Sequence, residues 1–238
     1  MSTADQVVFI QDHLRRAADP DKAGPMQAYM KTDMPFHGVQ KTERVAIRRA
    51  FKRAFTLRSW EDDLRPLIEA LWALPHREEK YLALELAHAH TRIALTPAAL
   101  PLWEWLVRDG AWWDLVDAIA SPLVSPTYLK HREEVEPWTE RWIEDESLWV
   151  RRLAILAHLK HKEQTDAERL FAHCLRCAHE KEFFIRKAIG WALREYSKHD
   201  PEAVAAFLLA HRGAWSGLTF REGSKHLRKQ GWEPGEGA

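Results

Sequence analysis

The chain has 238 residues, of which 46% are hydrophobic and 29% charged, a composition typical of a globular protein. Ten glycines and twelve prolines exclude a collagen-like or low-complexity chain, and two cysteines exclude a disulfide scaffold. No run of about eighteen apolar residues occurs, so we expect no membrane span.

The net charge is zero, but the charges are unevenly distributed along the chain. Residues 101–150 hold four Lys or Arg against eleven Asp or Glu, whereas residues 151–200 hold eleven against seven. A neutral chain can still present a basic face to a polyanion. Taken alone, however, this pattern favours a solvated surface of uneven charge.

Helical patterns run along the whole chain, and no stretch alternates apolar and polar residues as an exposed strand would. The dipeptides Thr96-Pro97 and Asp200-Pro201 are typical of helix starts, since proline is tolerated in the first turn. Apolar residues recur at three- and four-residue spacing in three segments: Leu82–Ile93, Ile155–Leu159 and Ile185–Ala192.

Some of these segments repeat. Trp149–Ala154 aligns with Phe184–Ile189 at an offset of 35, and Trp113–Ile119 aligns with Trp149–Ile155 at 36. A period of about 35–40 residues with two helices per unit is typical of an α-solenoid. The sequence therefore predicts an all-α fold, an α-solenoid with a concave face. We expect one domain over residues 1–232 and a disordered tail over 233–238.

The repeat places Asp117, Arg152 and Lys187 in one column, at spacings of 35 residues. A core column would be apolar, so this charged column is expected to face solvent or a ligand. Four tryptophans stand beside it, a combination that suits a charged, flat-ringed ligand: Trp112, Trp113, Trp149 and Trp191. Three other tryptophans are expected to fill the core, as most tryptophans do: Trp72, Trp103 and Trp105.

One long segment, Lys181–Tyr196, reads KEFFIRKAIGWALREY and resembles the signature of the AlkD family of alkylpurine DNA glycosylases. The resemblance extends from about Pro25 to Lys229. Further segments agree with that family in order and spacing: Tyr29–Lys31 with Phe36–Val39, Trp112–Asp117, and Leu148–Arg152 running to Lys160.

The resemblance implies a fold of HEAT-like repeats that wraps duplex DNA along a basic concave groove. It implies excision of positively charged alkylated bases, chiefly N3-alkyladenine and N7-alkylguanine, with no metal and no cofactor. By motif position, Trp113 and Trp191 would hold the deoxyribose of the lesion against their ring faces, and Asp117 would be the catalytic carboxylate.

Four residues are expected to bind the DNA. The resemblance implies that Arg152 and Lys160 contact the backbone near the lesion and that Tyr29 lines the same cleft. The repeat column adds Lys187. The simpler explanation for Arg152 and Lys160 is that they are solvated helix charges. If Arg152 contacts a phosphate, Arg152→Ala should weaken both binding and base release.

The residues also suit the chemistry. A cationic alkylated purine leaves as a neutral base, so no general acid is needed, and the sugar develops positive charge. A carboxylate such as Asp117 stabilises that charge and can orient or deprotonate the attacking water. Without the resemblance, a surface carboxylate paired with a neighbour would be the favoured interpretation of Asp117.

Two alternatives stay open. One is a non-catalytic helical-repeat scaffold that binds DNA or protein. The other is a specialised relative that acts on bulky alkyl adducts. For the favoured function, the expected partner is double-stranded DNA containing alkylated bases, bound by a cytoplasmic monomer that associates with the nucleoid.

A second motif has the spacing of a metal site, because His173 and Cys174 are followed by Cys177 and His179. On a regular helix, however, the two histidines point away from the two cysteines. We therefore expect two partly buried thiols and no metal there.

Overall fold

The computed structural model describes residues 2–234 and is all-helical over that range. The prediction of an all-α chain of helical repeats is confirmed. The tail predicted over residues 233–238 lies mostly outside the described residues. The chain divides into two compact units, Met1–Leu95 and Thr96–Ala238, and the single domain over residues 1–232 stays a prediction.

The first unit contains six helices over its described residues, and their ends carry the caps that the sequence supplies. Ser2 and Asp5 form a capping box, and Asp19 caps a helix that begins with Pro20. A π-helical turn over Trp60–Leu64 precedes the fourth helix. The helices are α1 (Thr3–Ala17), α2 (Pro20–Met30), α3 (Lys41–Ala54), α4 (Arg65–Trp72), α5 (Arg77–Ala89) and α6 (Thr91–Ala94).

The second unit continues with shorter helices. The helix starts predicted at Pro97 and Pro201 are confirmed, with Thr96 and Asp200 accepting backbone N–H groups as caps. The helices are α7 (Leu100–Gly110), α8 (Trp113–Ile119), α9 (Ser125–Lys130), α10 (Arg132–Trp142), α11 (Leu148–Leu156), α12 (Ala167–Arg176), α13 (Phe183–Tyr196), α14 (Pro201–Ala210), α15 (Gly217–Gly223) and α16 (Lys225–Lys229). Single 3₁₀ or π turns lie between some of them.

Contacts between successive repeats recur at nearly constant sequence separation in the second unit. Helix α8 packs against α11, α11 against α13, and α13 against α15. Hydrogen bonds across these repeats join residues 28 to 38 positions apart, and several of them span 34 to 38. Such contacts join Ser125 to Leu159, Arg108 to Asp145, Glu104 to Trp142, and Glu140 to Arg176. The period of about 35 residues is therefore a structural repeat.

Two of the three tryptophans assigned to the core are buried, Trp72 at 3% exposure and Trp103 at 0%. The prediction for Trp105 is wrong, because its side chain is 50% exposed. On α7 the buried residues Trp103, Leu106 and Val107 share one face, and Trp105 lies on the opposite face of the helix. The sequence there contains more large apolar residues than the core accepts.

Candidate functional site

The candidate site begins at the start of α8. Trp112 adopts extended backbone as the residue before the helix, and Trp113 is the first helical residue. Trp113 and Asp117 are separated by one helical turn, so they lie on the same face. Both are partly exposed, whereas Leu115, Val116 and Ile119 are buried. The short helix thus separates an apolar inner face from a face that carries an indole and a carboxylate.

The Asp117 carboxylate is held by a two-pronged ion pair with Arg152 of α11. Arg152 Nε donates to Asp117 Oδ1 at 2.8 Å, and Arg152 Nη2 donates to Asp117 Oδ2 at 2.8 Å. The Arg152 side chain is 5% exposed and that of Asp117 is 20% exposed. Because guanidinium and carboxylate planes match in this geometry, the carboxylate has a fixed orientation and one side open to solvent.

The third hydrogen bond of Arg152 reaches the next repeat. Its Nη1 donates to the backbone carbonyl of Phe184, at the start of α13, at 2.5 Å. One buried guanidinium therefore joins α8, α11 and α13. The simpler explanation that Arg152 is a solvated helix charge is wrong, since it is 4% exposed and hydrogen-bonded within the chain. Its contact with the DNA backbone stays a prediction.

Burial and charge act on Asp117 in opposite directions. Burial raises the pKa of Asp117 above its ordinary value, and the hydrogen bonds and positive charge of Arg152 oppose this rise. The negative charge of Asp114, on the same helix, raises the pKa slightly further. The net direction is upward, so this carboxyl group takes up a proton at a higher pH than a free aspartate does.

On α13, Lys187 and Trp191 are separated by one turn, and both are partly exposed. Trp191 lies seven residues beyond Phe184, two turns along the helix on the same face. Lys187 Nζ lies 3.1 Å from Glu222 Oε1 of α15, and Arg194 reaches the other oxygen of Glu222. Lys187 thus pairs with Glu222, which lies 35 residues further along the chain and continues the spacing of the Asp117, Arg152 and Lys187 column.

An aromatic cluster supports this part of the molecule. The ring centroids of Trp112 and Trp149 are 5.8 Å apart, and Phe184 lies 5.6 Å from Trp112 and 5.0 Å from Trp149. Trp112 Nε1 is buried and has no hydrogen-bond partner among residues 2–234. These three rings pack beside the start of α13, where the carbonyl of Phe184 accepts from Arg152. Trp112 and Trp149 therefore hold the backbone that the ion pair depends on.

Two other residues expected to bind DNA face solvent. Lys160 is exposed in the turn after α11, with a left-handed backbone at φ 64°. Tyr29, near the end of α2 in the first unit, is 76% exposed. Both side chains are free of the core in their own unit. Contact of either one with DNA stays a prediction.

The two thiols of the motif at His173–His179 are buried, in agreement with the interpretation favoured from the sequence. Cys174 is 0% exposed and Cys177 is 2% exposed. Burial raises the pKa of Cys177 to about 12 and that of Cys174 higher still. His173 turns away from the thiols, since its Nδ1 lies 3.0 Å from His158 Nε2 and its Nε2 lies 3.1 Å from Glu140 Oε1.

Among residues 2–234, no helix is both long and apolar enough to cross a membrane.

Most of the chain matches a known protein family. Residues 10–227 match the family described as DNA alkylation repair enzyme. A solved structure named as a predicted DNA alkylation repair enzyme from Enterococcus faecalis superimposes with a TM-score of 0.74 and is 33% identical. That match covers 89% of this chain and 97% of the other chain. No curated protein matches the chain. The chain belongs to the DNA alkylation repair enzyme family.

Proposed function

We propose that this protein is a monofunctional DNA glycosylase that hydrolyses the N-glycosidic bond of cationic alkylated purines in duplex DNA. Its substrates are N3-alkyladenine and N7-alkylguanine. The observation that carries the proposal is the Asp117 carboxylate, fixed by Arg152 and open to solvent on the face that also holds Trp113. Membership of a DNA alkylation repair family supports it.

The chemistry suits a substrate that is already charged. As the bond between the sugar C1′ and the purine nitrogen breaks, its electron pair neutralises the base, which leaves without a proton. Positive charge develops on the sugar, and the Asp117 carboxylate stabilises it. Water forms the new bond to C1′, and Asp117 accepts its proton or orients it. The reaction requires no metal, cofactor or general acid.

The tryptophans add a second source of selectivity. The negative ring faces of Trp113 and Trp191 each stabilise a nearby cation by about 0.5–2 kcal/mol. This interaction and that of Asp117 act on positive charge, so cationic lesions are favoured over neutral ones such as uracil. We assign DNA backbone contacts to Lys160 and Lys187 and a separate contact with the DNA to Tyr29. Arg152 has two roles, a backbone contact and the orientation of Asp117.

The test is release of free base from duplex DNA that carries N7-methylguanine, followed by chromatography. We expect Asp117→Asn to bind the duplex like the wild type and to release base about 10²–10⁴-fold more slowly, the range for loss of a positioned acid or base. Asp114→Asn, one turn away on the same helix, is the matched control and should stay close to wild type.

Wild-type base release by Asp117→Asn would overturn the assignment of this residue. No release by the wild-type protein from duplexes carrying either methyl or bulky alkyl lesions, with binding retained, would indicate a non-catalytic scaffold. Release of bulky adducts alone would indicate the specialised relative.

A further inference from the structure

A second cluster of polar side chains lies in the first unit, where the segment before α3 meets the start of α5. His37, His76 and Glu79 each place one ligand-type atom within 4.8 Å of the others. Glu79 Oε1 is 3.4 Å from His37 Nε2 and 3.8 Å from His76 Nδ1. Two imidazole nitrogens therefore converge on one carboxylate oxygen. Residues 2–234 contain no other group of three His, Cys, Asp or Glu side chains this close.

The hydrogen bonding within the cluster is incomplete. Glu79 Oε2 accepts the backbone N–H of His76 at 2.8 Å, which fixes the carboxylate and leaves Oε1 facing the rings. His76 Nδ1 is buried and has no hydrogen-bond partner among residues 2–234. A buried polar atom without a partner costs free energy, and a bound cation would remove that cost.

The spacing fits a small metal ion. A tetrahedral Zn²⁺ with bonds of about 2.0–2.1 Å to nitrogen and oxygen has ligand atoms about 3.3 Å apart. The distances of 3.4 and 3.8 Å are close to this value, and the two imidazole nitrogens lie within 4.8 Å of each other, so rotation of the rings would complete the geometry. The side chains of His37 and His76 are 14% and 29% exposed, and that of Glu79 is 2% exposed. The histidine side is therefore open to a water molecule as fourth ligand.

The backbone around the cluster is held in place before any ion binds. The buried Glu78 carboxylate accepts the backbone N–H groups of His37, Gly38 and Val39, each at 2.9 Å. This preorganised backbone lowers the entropic cost of binding a ligand. The two imidazole rings stack with centroids 3.7 Å apart and an angle of 19° between their planes, so they must turn to aim their in-plane lone pairs at one ion.

We propose that His37, His76 and Glu79 bind one Zn²⁺ ion, with water as the fourth ligand. The ion fastens the segment around His37 to the first turn of α5. The proposal is independent of base excision, because it requires no DNA and no residue of the proposed catalytic site.

The test is calorimetric titration of the chelator-treated protein with ZnCl₂, with CoCl₂ as a spectroscopic stand-in. We expect one equivalent to bind, a tetrahedral Co²⁺ spectrum, and a rise in the melting temperature. His37→Gln and His76→Gln should each abolish binding at concentrations that saturate the wild type. His88→Gln replaces an exposed histidine at the far end of α5 and should bind like the wild type.

A second measurement uses the unaltered chain, so it does not depend on the folding of a variant. Carbethoxylation followed by mass spectrometry should show that Zn²⁺ protects His37 and His76 and leaves His88 reactive. Equal binding by the wild type and both cluster variants would overturn the proposal. So would loss of binding in His88→Gln, or an unchanged labelling pattern at His37 and His76.

Discussion

The Asp117 carboxylate is subject to two opposed influences, the burial of its own side chain and the guanidinium of Arg152. When one partner of such an ion pair is removed, the charge of the other is left uncompensated. If that charge is fully buried, the loss of stability is about 3–5 kcal/mol. Arg152→Ala would leave the Asp117 carboxylate, which is 20% exposed, without its partner, so it would combine loss of function with loss of stability. Arg152→Lys keeps the positive charge but loses the two-pronged contact with Asp117. It therefore tests the role of that contact more directly than Arg152→Ala does.

The pH dependence of base release tests this relationship. Burial raises the pKa of Asp117, so release should fall as the pH is lowered through that raised pKa. Arg152→Lys removes hydrogen bonds that hold the pKa down, so the fall should begin at a higher pH than in the wild type. Rates across the acidic range measure this shift.

A role for Arg152 at phosphate alone predicts a different result. The fall in the rate of base release would then occur at the same acidic pH as in the wild type. Only the salt dependence of DNA binding would change. The Lys variant therefore separates orientation of Asp117 from contact with the DNA backbone.

The contacts of individual residues show which features of the site could be predicted from the sequence and which could not. The spacing of 35 residues linked Asp117 to Arg152 correctly, because inter-repeat contacts follow the repeat period. Lys187 and Glu222 are separated by the same 35 residues, so extending the column by one repeat would have predicted that pair too. The spacing did not indicate that Arg152 is buried, since burial depends on the depth of packing. Likewise, His37 and Glu79 are 42 residues apart, and no local motif connects them.

Among the elements, α13 and α15 are in close contact at Gly190. A Cβ added there would lie 2.5 Å from Glu222 Cβ and 3.3 Å from the carbonyl oxygen of Thr219. The same Glu222 binds Lys187 and Arg194, so it is held from two sides. The glycine in the family-like segment at Lys181–Tyr196 therefore serves helix packing.

Gly190→Ala should force α13 and α15 apart and destabilise the protein by about 1–3 kcal/mol, the usual cost of overpacking. Urea denaturation measures this loss. Gly217→Ala, at the first position of α15, is the control, because a Cβ there meets nothing within 4 Å. It should leave stability unchanged or raise it by up to about 1 kcal/mol. Equal midpoints of urea denaturation for Gly190→Ala and Gly217→Ala would contradict the packing role of Gly190.

Helix positions were largely readable from the sequence, since proline, aspartate and serine mark the starts of many elements. The Trp105 error has a physical cause at the same scale. Helix α7 carries large apolar residues on both faces, and periodicity alone does not tell which face is covered. The π-helical turns at Trp60–Leu64 and Ala120–Val124 have no sequence signal of this kind.

Considered as a whole molecule, the chain carries no net charge, yet the proposed substrate is a polyanion. Binding must then rest on a few well-placed cations instead of on overall attraction. Lys160 is suited to this, because its side chain is exposed in a turn whose backbone conformation is unusual for a lysine.

Lys160→Gln should weaken binding to duplexes of any sequence and reduce the slope of log affinity against log salt by about 0.9, the value for one phosphate. Fluorescence anisotropy at several salt concentrations measures this slope. Lys130→Gln, an exposed lysine at the end of α9, serves as control and should keep the wild-type slope. An unchanged slope in Lys160→Gln would remove this residue from the DNA interface.

The burial of both cysteines has a consequence for a protein whose family repairs alkylation damage. Electrophiles that modify DNA react fastest with the thiolate form of sulfur, and Cys174 and Cys177 are protonated and enclosed by helices at neutral pH. The chain has no other cysteine. The folded protein therefore offers such reagents no ready thiolate, and we expect it to resist inactivation at cysteine by alkylating compounds.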